Sequence, residues 1–272
     1  MHPPGPPPKI SLPGIRHVVA VASGKGGVGK STLAANLALA LAGAGSKVGL
    51  LDADIYGPSV PIMFGVPSPV DQATTPLPID KFGLRLMSIG FVVPPERAVI
   101  WRGPMVDRAL RQFLTQLDWG QLDYLIIDLP PGTGDAQLTL TQHAPLTGAI
   151  IVTTPQDVSL VDARKGLEMF REVRVPVLGI VENMSYFVGD DGKRYEIFRH
   201  GGGKKLAIEA GTRFLGEVPI DPRVAECGDQ GDPIVHRHPD SPIAQAYLAL
   251  AKAVMDELNQ GEVPPPLPGL KI

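Results

Sequence analysis

The nine residues GKGGVGKST, Gly24 to Thr32, constrain the fold of this chain more than any other stretch. They fit the template G-x-x-x-x-G-K-S/T, with Gly24, Gly29, Lys30 and Ser31 at its fixed positions. Upstream, His17 to Ala22 (HVVAVA) is a short apolar run rich in β-branched residues, the pattern of a buried strand. Downstream, Ser31 to Ala42 (STLAANLALALA) is dense in Ala and Leu and predicts a helix. A glycine turn between strand and helix lets backbone N–H groups converge on phosphate oxygens, and the helix N-terminus favours the anion. In that geometry Gly24, Lys25, Gly26, Gly27, Val28, Gly29, Lys30, Ser31 and Thr32 form the phosphate cradle. Lys30 would reach the β- and γ-phosphates, and the Ser31 hydroxyl would hold Mg²⁺. A Gly-rich connector without ligand is the alternative, and the flanks on both sides argue against it.

Strand-like and helix-like segments alternate along the rest of the chain. Val48–Leu51, Tyr124–Ile127, Ala149–Thr153 and Val177–Val181 are short runs of Val, Ile and Leu. Met105–Gln116, Leu160–Val173 and Ser241–Asn259 carry helical patterns. The expected fold is therefore α/β: a P-loop NTPase three-layer sandwich, with a mostly parallel central sheet and helices on both faces. Residues 14–260 are expected to form one ATPase domain between Pro-rich tails at 1–13 and 261–272. Gly57–Asp80 and Ser185–Gly203 read as long irregular stretches, which in compact domains are often functional. The N-terminal MHPPGPPPK lacks the apolar core of a secretory signal, and no apolar run is long enough to span a bilayer. The net charge of −3 argues against general nucleic-acid affinity, and the single cysteine fits a reducing cytoplasm.

Three further segments suit a nucleotide site. In LLDADIYGPSVP, Asp52 and Asp54 follow an apolar strand, beyond the C-terminal end where parallel sheets place ligands. One carboxylate could orient an attacking water and the other could support the Mg²⁺ shell; turn-forming aspartates are the alternative. In DYLIIDLPPGTGD, four apolar residues lead into Asp128, the pattern of a carboxylate that holds Mg²⁺ through water. The PPGTG segment after it could sense the γ-phosphate and relax on hydrolysis. In VENMSY, Asn183 offers a donor and an acceptor to a purine edge, although Asn at a strand end is commonly a turn residue.

GKGGVGKST, DADIYGPSVP, DLPPGTGD and VENMSY, in this order, resemble the Mrp/ApbC family of ATP-binding iron–sulfur cluster carriers. These are deviant P-loop ATPases related to MinD, ParA and the nitrogenase iron protein. WRGPM (Trp101–Met105), TTPQDVSLVDARKG (Thr153–Gly166), FRHGGGKKLA (Phe198–Ala207) and GDQGDPIV (Gly228–Val235) also look like family segments, so the resemblance runs from about Gly14 to Asp256. It implies a slow, Mg²⁺-dependent ATPase coupled to homodimer formation. Lys25 would reach across the dimer interface to the partner's nucleotide, Asp54 would assist water attack, and Asp52 and Asp128 would belong to the Mg²⁺ shell. Asn183 would contact adenine, and Gly132 would lie in a switch segment. Apo iron–sulfur proteins or assembly factors are the implied partners, with neither nucleic acid nor membrane.

The chain departs from that pattern in two places. Many bacterial members carry a small domain before the P-loop, where this sequence shows a short Pro-rich stretch. Many also carry Cys-Pro-x-Cys after VENMSYFV, and one pair from each subunit holds a 4Fe–4S cluster. Here that position reads Gly189-Asp190-Asp191-Gly192, so both thiolates are replaced by glycine. Clusters need soft thiolate ligands, normally four, whereas a dimer of this chain supplies two cysteines, one Cys227 from each copy. Cys227 reads as a buried or incidental thiol, with cluster ligation the lesser option. Asp190 and Asp191 read as a solvated turn, and His236 and His238 as an exposed loop, with metal binding the alternative in both cases. The expected function is an ATPase that binds or transfers iron–sulfur clusters or assists their assembly. A MinD- or ParA-like positioning switch without a cluster is the alternative. A small-molecule ATP-dependent enzyme is a third possibility, for which no additional catalytic constellation is visible.

Overall fold

A computed structural model describes residues 10–67, 77–93 and 103–260. The first half of the chain contains β1 (Ile15–Ser23), α1 (Lys30–Gly43), β2 (Val48–Asp52), α2 (Val60–Met63), β3 (Ile79–Lys81), β4 (Leu84–Ser88), α3 (Gly103–Thr115) and β5 (Leu122–Asp128). A 3₁₀ turn at Ile89–Phe91 follows β4. The second half contains α4 (Asp135–His143), β6 (Gly148–Thr153), α5 (Asp157–Glu172), β7 (Val177–Val188), β8 (Arg194–Tyr195), α6 (Gly202–Ala210), β9 (Phe214–Ile220), α7 (Pro222–Asp229), α8 (Ile234–Arg237) and α9 (Pro242–Gln260).

One nine-stranded sheet runs in the order β3-β4-β2-β5-β1-β6-β7-β8, with β9 also paired to β7. Its centre is parallel, and only β3 and β8 run antiparallel to their neighbours. The expected architecture is therefore present. Parallel strands are covered on both faces, which is why β1 is buried at every position from His17 to Ser23 and why alternation is absent from its sequence. Helix α1 is buried around its whole circumference from Leu33 to Leu41 because it lies between the sheet and α9. A helix enclosed in this way needs small and aliphatic residues on every face, which accounts for its Ala-Leu composition.

Strand register sets the site. Asp52 at the end of β2 pairs directly with Asp128 at the end of β5, and Asp128 pairs with Val21 of β1. Ser23 ends β1, so the glycine turn leaves the sheet beside both carboxylates.

Some boundaries differ from those expected. The N-terminal stretch is docked by residue 10: the Ile10 N–H donates to the His143 carbonyl at 2.9 Å, and Ile10 and Leu12 pack on the core. Apolar side chains there outweigh the Pro-rich surroundings. Ser185–Gly203 is only partly irregular, because β7 continues to Val188 and folds back as β8. Gly57–Asp80 holds α2 and the start of β3, with 68–76 outside the described residues. The expected segments at Trp101–Arg102, residues 1–9 and 261–272 also lie outside the described residues. Among the described residues no helix is long and apolar enough to cross a membrane.

Candidate nucleotide site at the strand ends

The turn after β1 is shaped by close approach. A Cβ on Gly24 would lie 2.1 Å from the Asp162 carbonyl group of α5, so the loop sits directly on that helix's backbone. Gly29 has φ +79, and a Cβ there would lie 2.2 Å from Asn183 Nδ2, so only glycine serves at this position. Ser23 Oγ donates to the Lys25 carbonyl at 2.8 Å, tying the start of the loop to the strand. Helix α1 then begins at Lys30 with no side-chain cap and no acidic residue in its first turn. Its first N–H groups and positive dipole end therefore face the loop's concavity, the arrangement an anion needs. Val28 is buried, while Gly26 and Gly27 are exposed; Lys25 is half-buried, with no ion pair among the described residues.

Lys30 is buried at the mouth of this loop. Its Nζ donates to Asp128 Oδ1 at 2.5 Å and to Ser31 Oγ at 3.1 Å. Asp128 is fully buried, and among the described residues its other oxygen, Oδ2, has no hydrogen-bond partner. A charged oxygen left this way inside a protein is costly unless something else satisfies it.

Asp52, expected in the metal shell through water, is held at both oxygens by the protein. Its Oδ1 accepts from the Asp54 N–H at 3.1 Å. Its Oδ2 accepts from the Ser59 N–H at 3.0 Å, the Val60 N–H at 3.1 Å and the Ser88 hydroxyl at 3.1 Å. Both oxygens are committed to the protein, and three of the four donors belong to the segment carrying Asp54. Asp54 itself is half-buried, and among the described residues its carboxylate accepts only from the Gly57 N–H at 3.3 Å.

Two buried carboxylates facing one lysine have a consequence for stability. Burial, and then the charge on Asp128, push the Asp52 carboxyl up to about 7 against the hydrogen bonds from Val60 and Asp54 and the charge on Lys30. Burial likewise raises Asp128, opposed mainly by Lys30. The folded value lies above the ordinary 3.8, so this contribution to stability is full below that value and is lost as pH rises toward 7. The melting temperature of the nucleotide-free protein is expected to fall between about pH 4 and pH 7. Asp52→Asn should flatten most of that fall, and a melting temperature that climbs over the interval would refute the assignment. Asp221, lowered by its Arg223 partner, acts with the opposite sign but only below 3.8.

Asn183 approaches the loop from β7. Its Nδ2 donates to the Val28 carbonyl at 2.8 Å, so one amide hydrogen is spent on the phosphate loop itself. Next to it Met184 adopts φ 54, where the β7–β9 pairing skips from Asn183 to Phe187; this bulge turns the strand end toward α1. A pocket of about 440 Å³ opens there, lined by Gly29, Thr32, Asn183, Pro219, Pro222 and Tyr247 among others. It is largely apolar and adjoins the phosphate loop, as suits a flat heterocycle. The Pro219–Pro222 segment and Tyr247 escape sequence reasoning, because only the tertiary fold brings them beside Gly29. Glu182 also escapes it: this fully buried carboxylate accepts from Ser185 Oγ at 2.6 Å, the Gly201 N–H at 2.9 Å and the Gly203 N–H at 2.6 Å. It caps α6 and anchors the strand end that presents Asn183. Glu182 also lies near the His200–Glu217 pair, whose Nε2–Oε1 distance is 2.8 Å.

Gly189–Gly192 forms the turn of the β7–β8 hairpin, as the solvated-turn reading expects. The Gly192 N–H donates to the Gly189 carbonyl and the Gly189 N–H to the Lys193 carbonyl, each at 2.9 Å. Asp191 closes the turn, accepting from the Lys193 N–H and the Tyr195 hydroxyl, both at 3.0 Å. A Cβ on Gly189 would lie 2.9 Å from the Tyr195 ring, so a side chain there requires the ring to move. Cys227 is buried in α7, and burial raises its thiol above its ordinary value. His236 lies on α8 rather than in a loop; it pairs with Asp232 at 2.6 Å and stacks on Phe82 at 3.9 Å between ring centroids.

A glycine loop cradling a helix N-terminus, a lysine paired to a strand-end aspartate and a second aspartate in register beside it define a P-loop NTPase. The family described as NUBPL iron-transfer P-loop NTPases, within ParA, matches residues 14–255, and the chain belongs to it. An iron–sulfur cluster carrier protein of Aquifex aeolicus is 54% identical over 257 residues, covering 93% of this chain and 70% of that protein. Among solved structures, a nucleotide-binding protein of Archaeoglobus fulgidus in complex with ADP is 40% identical with a TM-score of 0.72, covering 85% of this chain and 91% of that one. The cell division ATPase MinD of Pyrococcus furiosus, 22% identical, shares the fold with a TM-score of 0.66 over 88% of this chain and 98% of its own.

Proposed function

We propose that the protein is an ATP-hydrolysing homodimer that assists the assembly or transfer of iron–sulfur clusters. The buried Lys30–Asp128 pair at the mouth of the glycine loop carries the nucleotide half of this reading, and family membership carries the iron–sulfur half. ATP would lay its phosphates against the N–H groups of Gly24–Thr32 and its base in the pocket beside Asn183. Lys30 would exchange one Asp128 oxygen for phosphate oxygens. Mg²⁺ fits the donor set, since Ser31 Oγ and the orphaned Asp128 Oδ2 are the hard oxygens such an ion takes. Ser31 and Asp128 would hold it, with Asp52 adding charge from behind; when bound it neutralises charge on the phosphates. Asp54 would orient the attacking water, and Lys25, half-buried beside the loop, would reach the partner's nucleotide. Gly132, whose N–H donates to the Ser23 carbonyl at 3.0 Å, would relay phosphate loss into the segment before α4.

The cargo site is the part this chain does differently. Glycine stands at 189 and 192 and Cys227 is buried, so two copies of this sequence supply fewer than four thiolates, and the cluster would be held jointly with thiolates of the protein that receives or supplies it. The positioning-switch alternative draws no support beyond the fold: the last turns of α9 carry Asp256 and Glu257 rather than a basic amphipathic stretch.

Anaerobic reconstitution tests the iron–sulfur half. The isolated protein is expected to retain little absorbance at about 400 nm and much less than four iron atoms per dimer. Cys227→Ser should change neither value. Stable stoichiometric iron that disappears in Cys227→Ser would replace this reading with ligation by Cys227. Addition of a cysteine-bearing apo-acceptor should raise iron capture, and no effect on the acceptor would remove the iron–sulfur role while leaving ATP binding intact.

A further inference from the structure

The segment that carries Asp54 is held by a single hub, and the hub is itself held from the neighbouring strand. Asp52 accepts backbone N–H groups from Asp54, Ser59 and Val60, closing residues 53–59 into a tight loop. The remaining donor to Asp52 is a side chain, the Ser88 hydroxyl of β4. Ser88 stands opposite Asp52 in the parallel register and is fully buried. Its oxygen also accepts from the Gly90 N–H at 3.1 Å, which leaves the hydroxyl hydrogen to point at the carboxylate. The 3₁₀ turn then packs against the same loop. A Cβ on Gly90 would lie 2.8 Å from Pro61 Cγ and 3.4 Å from Pro58 Cβ.

We propose that Ser88 is a positioning residue for hydrolysis: its hydroxyl fixes the orientation of the Asp52 carboxylate, and through it the backbone that presents Asp54. This rests on the reading of Asp54 as the group that orients water. Among the described residues the Asp54 carboxylate accepts one long hydrogen bond, so its place is dictated by its backbone, and its backbone by Asp52. Charge-assisted hydrogen bonds to a buried carboxylate are among the stronger ones, and a displacement of about 1 Å at a reacting group costs on the order of 100-fold in rate.

Three variants and two readouts test the link. Ser88→Ala is expected to lower kcat for ATP roughly ten-fold or more while KM stays within about two-fold, because neither the glycine loop nor the base pocket is touched. In the nucleotide-free protein the amides of Asp54, Ser59 and Val60 should exchange hydrogen faster in Ser88→Ala. Ser88→Thr keeps the hydroxyl and should restore both readouts. Ser241→Ala, which removes the hydroxyl that accepts from the Ala244 N–H at the start of α9, should lower the melting temperature without changing kcat. Wild-type kcat together with unchanged exchange in Ser88→Ala would overturn the proposal, as would an equal loss of kcat in Ser241→Ala. A wild-type protein that hydrolyses no ATP would sink the reading of Asp54, and the exchange measurement would still decide whether Ser88 holds the loop.

Discussion

Lys30→Met is expected to lower affinity for Mg·ATP about 100-fold or more and to destabilise the empty protein as well. The first effect would follow from removing the cation proposed to meet the phosphates. The second follows from what Lys30 does without nucleotide: it is the buried cation hydrogen-bonded to Asp128, with Asp52 in register alongside. Removing one partner of a buried pair leaves an uncompensated charge, which costs about 3–5 kcal/mol. For a chain of this size that corresponds to a melting temperature lower by about 10 °C near neutral pH. The deficit should shrink toward about pH 5, because the Asp52 carboxyl, raised by burial, takes up a proton there. Lys30→Met combined with Asp128→Asn removes both charges and should recover most of the melting temperature without recovering binding. Calorimetric titration and a thermal melt check both halves. A single variant that binds normally, or a double variant no more stable than the single, would contradict the account.

Asp54→Asn is expected to behave in the opposite way, with nucleotide bound and turnover lost. Asp54 lies outside the Lys30–Asp128 pair, half-buried and weakly bonded, so its removal leaves the phosphate cradle intact. Loss of a group that positions or deprotonates the attacking water costs about 100-fold to 10,000-fold in rate. The variant should therefore show a kcat at least about 100-fold lower, an unchanged Kd for Mg·ATP, and a dimer that persists through gel filtration in ATP. A fall in affinity with kcat preserved would move Asp54 from the reaction to the binding site.

The strand, glycine turn and helix around Gly24–Thr32 are readable from sequence because each is local: an apolar run, four fixed residues and an Ala-Leu helix. Asp52 and Asp128 are readable for the same reason, since each ends an apolar strand. What local pattern does not convey is how the two divide their work. Asp52 is saturated because α2 and β4 bring it donors, and Ser88 lies 36 positions along the chain from it. The apolar pocket beside the glycine loop is hidden for a similar reason, being assembled from Gly29, Asn183, Pro219–Pro222 and Tyr247 across more than two hundred residues. Turn chemistry is local again, which is why GDDGK is recognisable in advance as a turn. That Ile10 and Leu12 dock on the core is not, because two apolar side chains in a Pro-rich stretch give no periodic signal.

The central claim is that ATP turnover at this site drives iron–sulfur handling by a chain without its own thiolate seat. The most direct test is the rate at which an apo-acceptor gains its cluster, measured anaerobically with wild type and Asp54→Asn, with and without Mg·ATP. The wild type should accelerate acceptor maturation only when Mg·ATP is present, and Asp54→Asn should give no acceleration beyond its nucleotide-free rate. Equal maturation rates in all four conditions would contradict the claim.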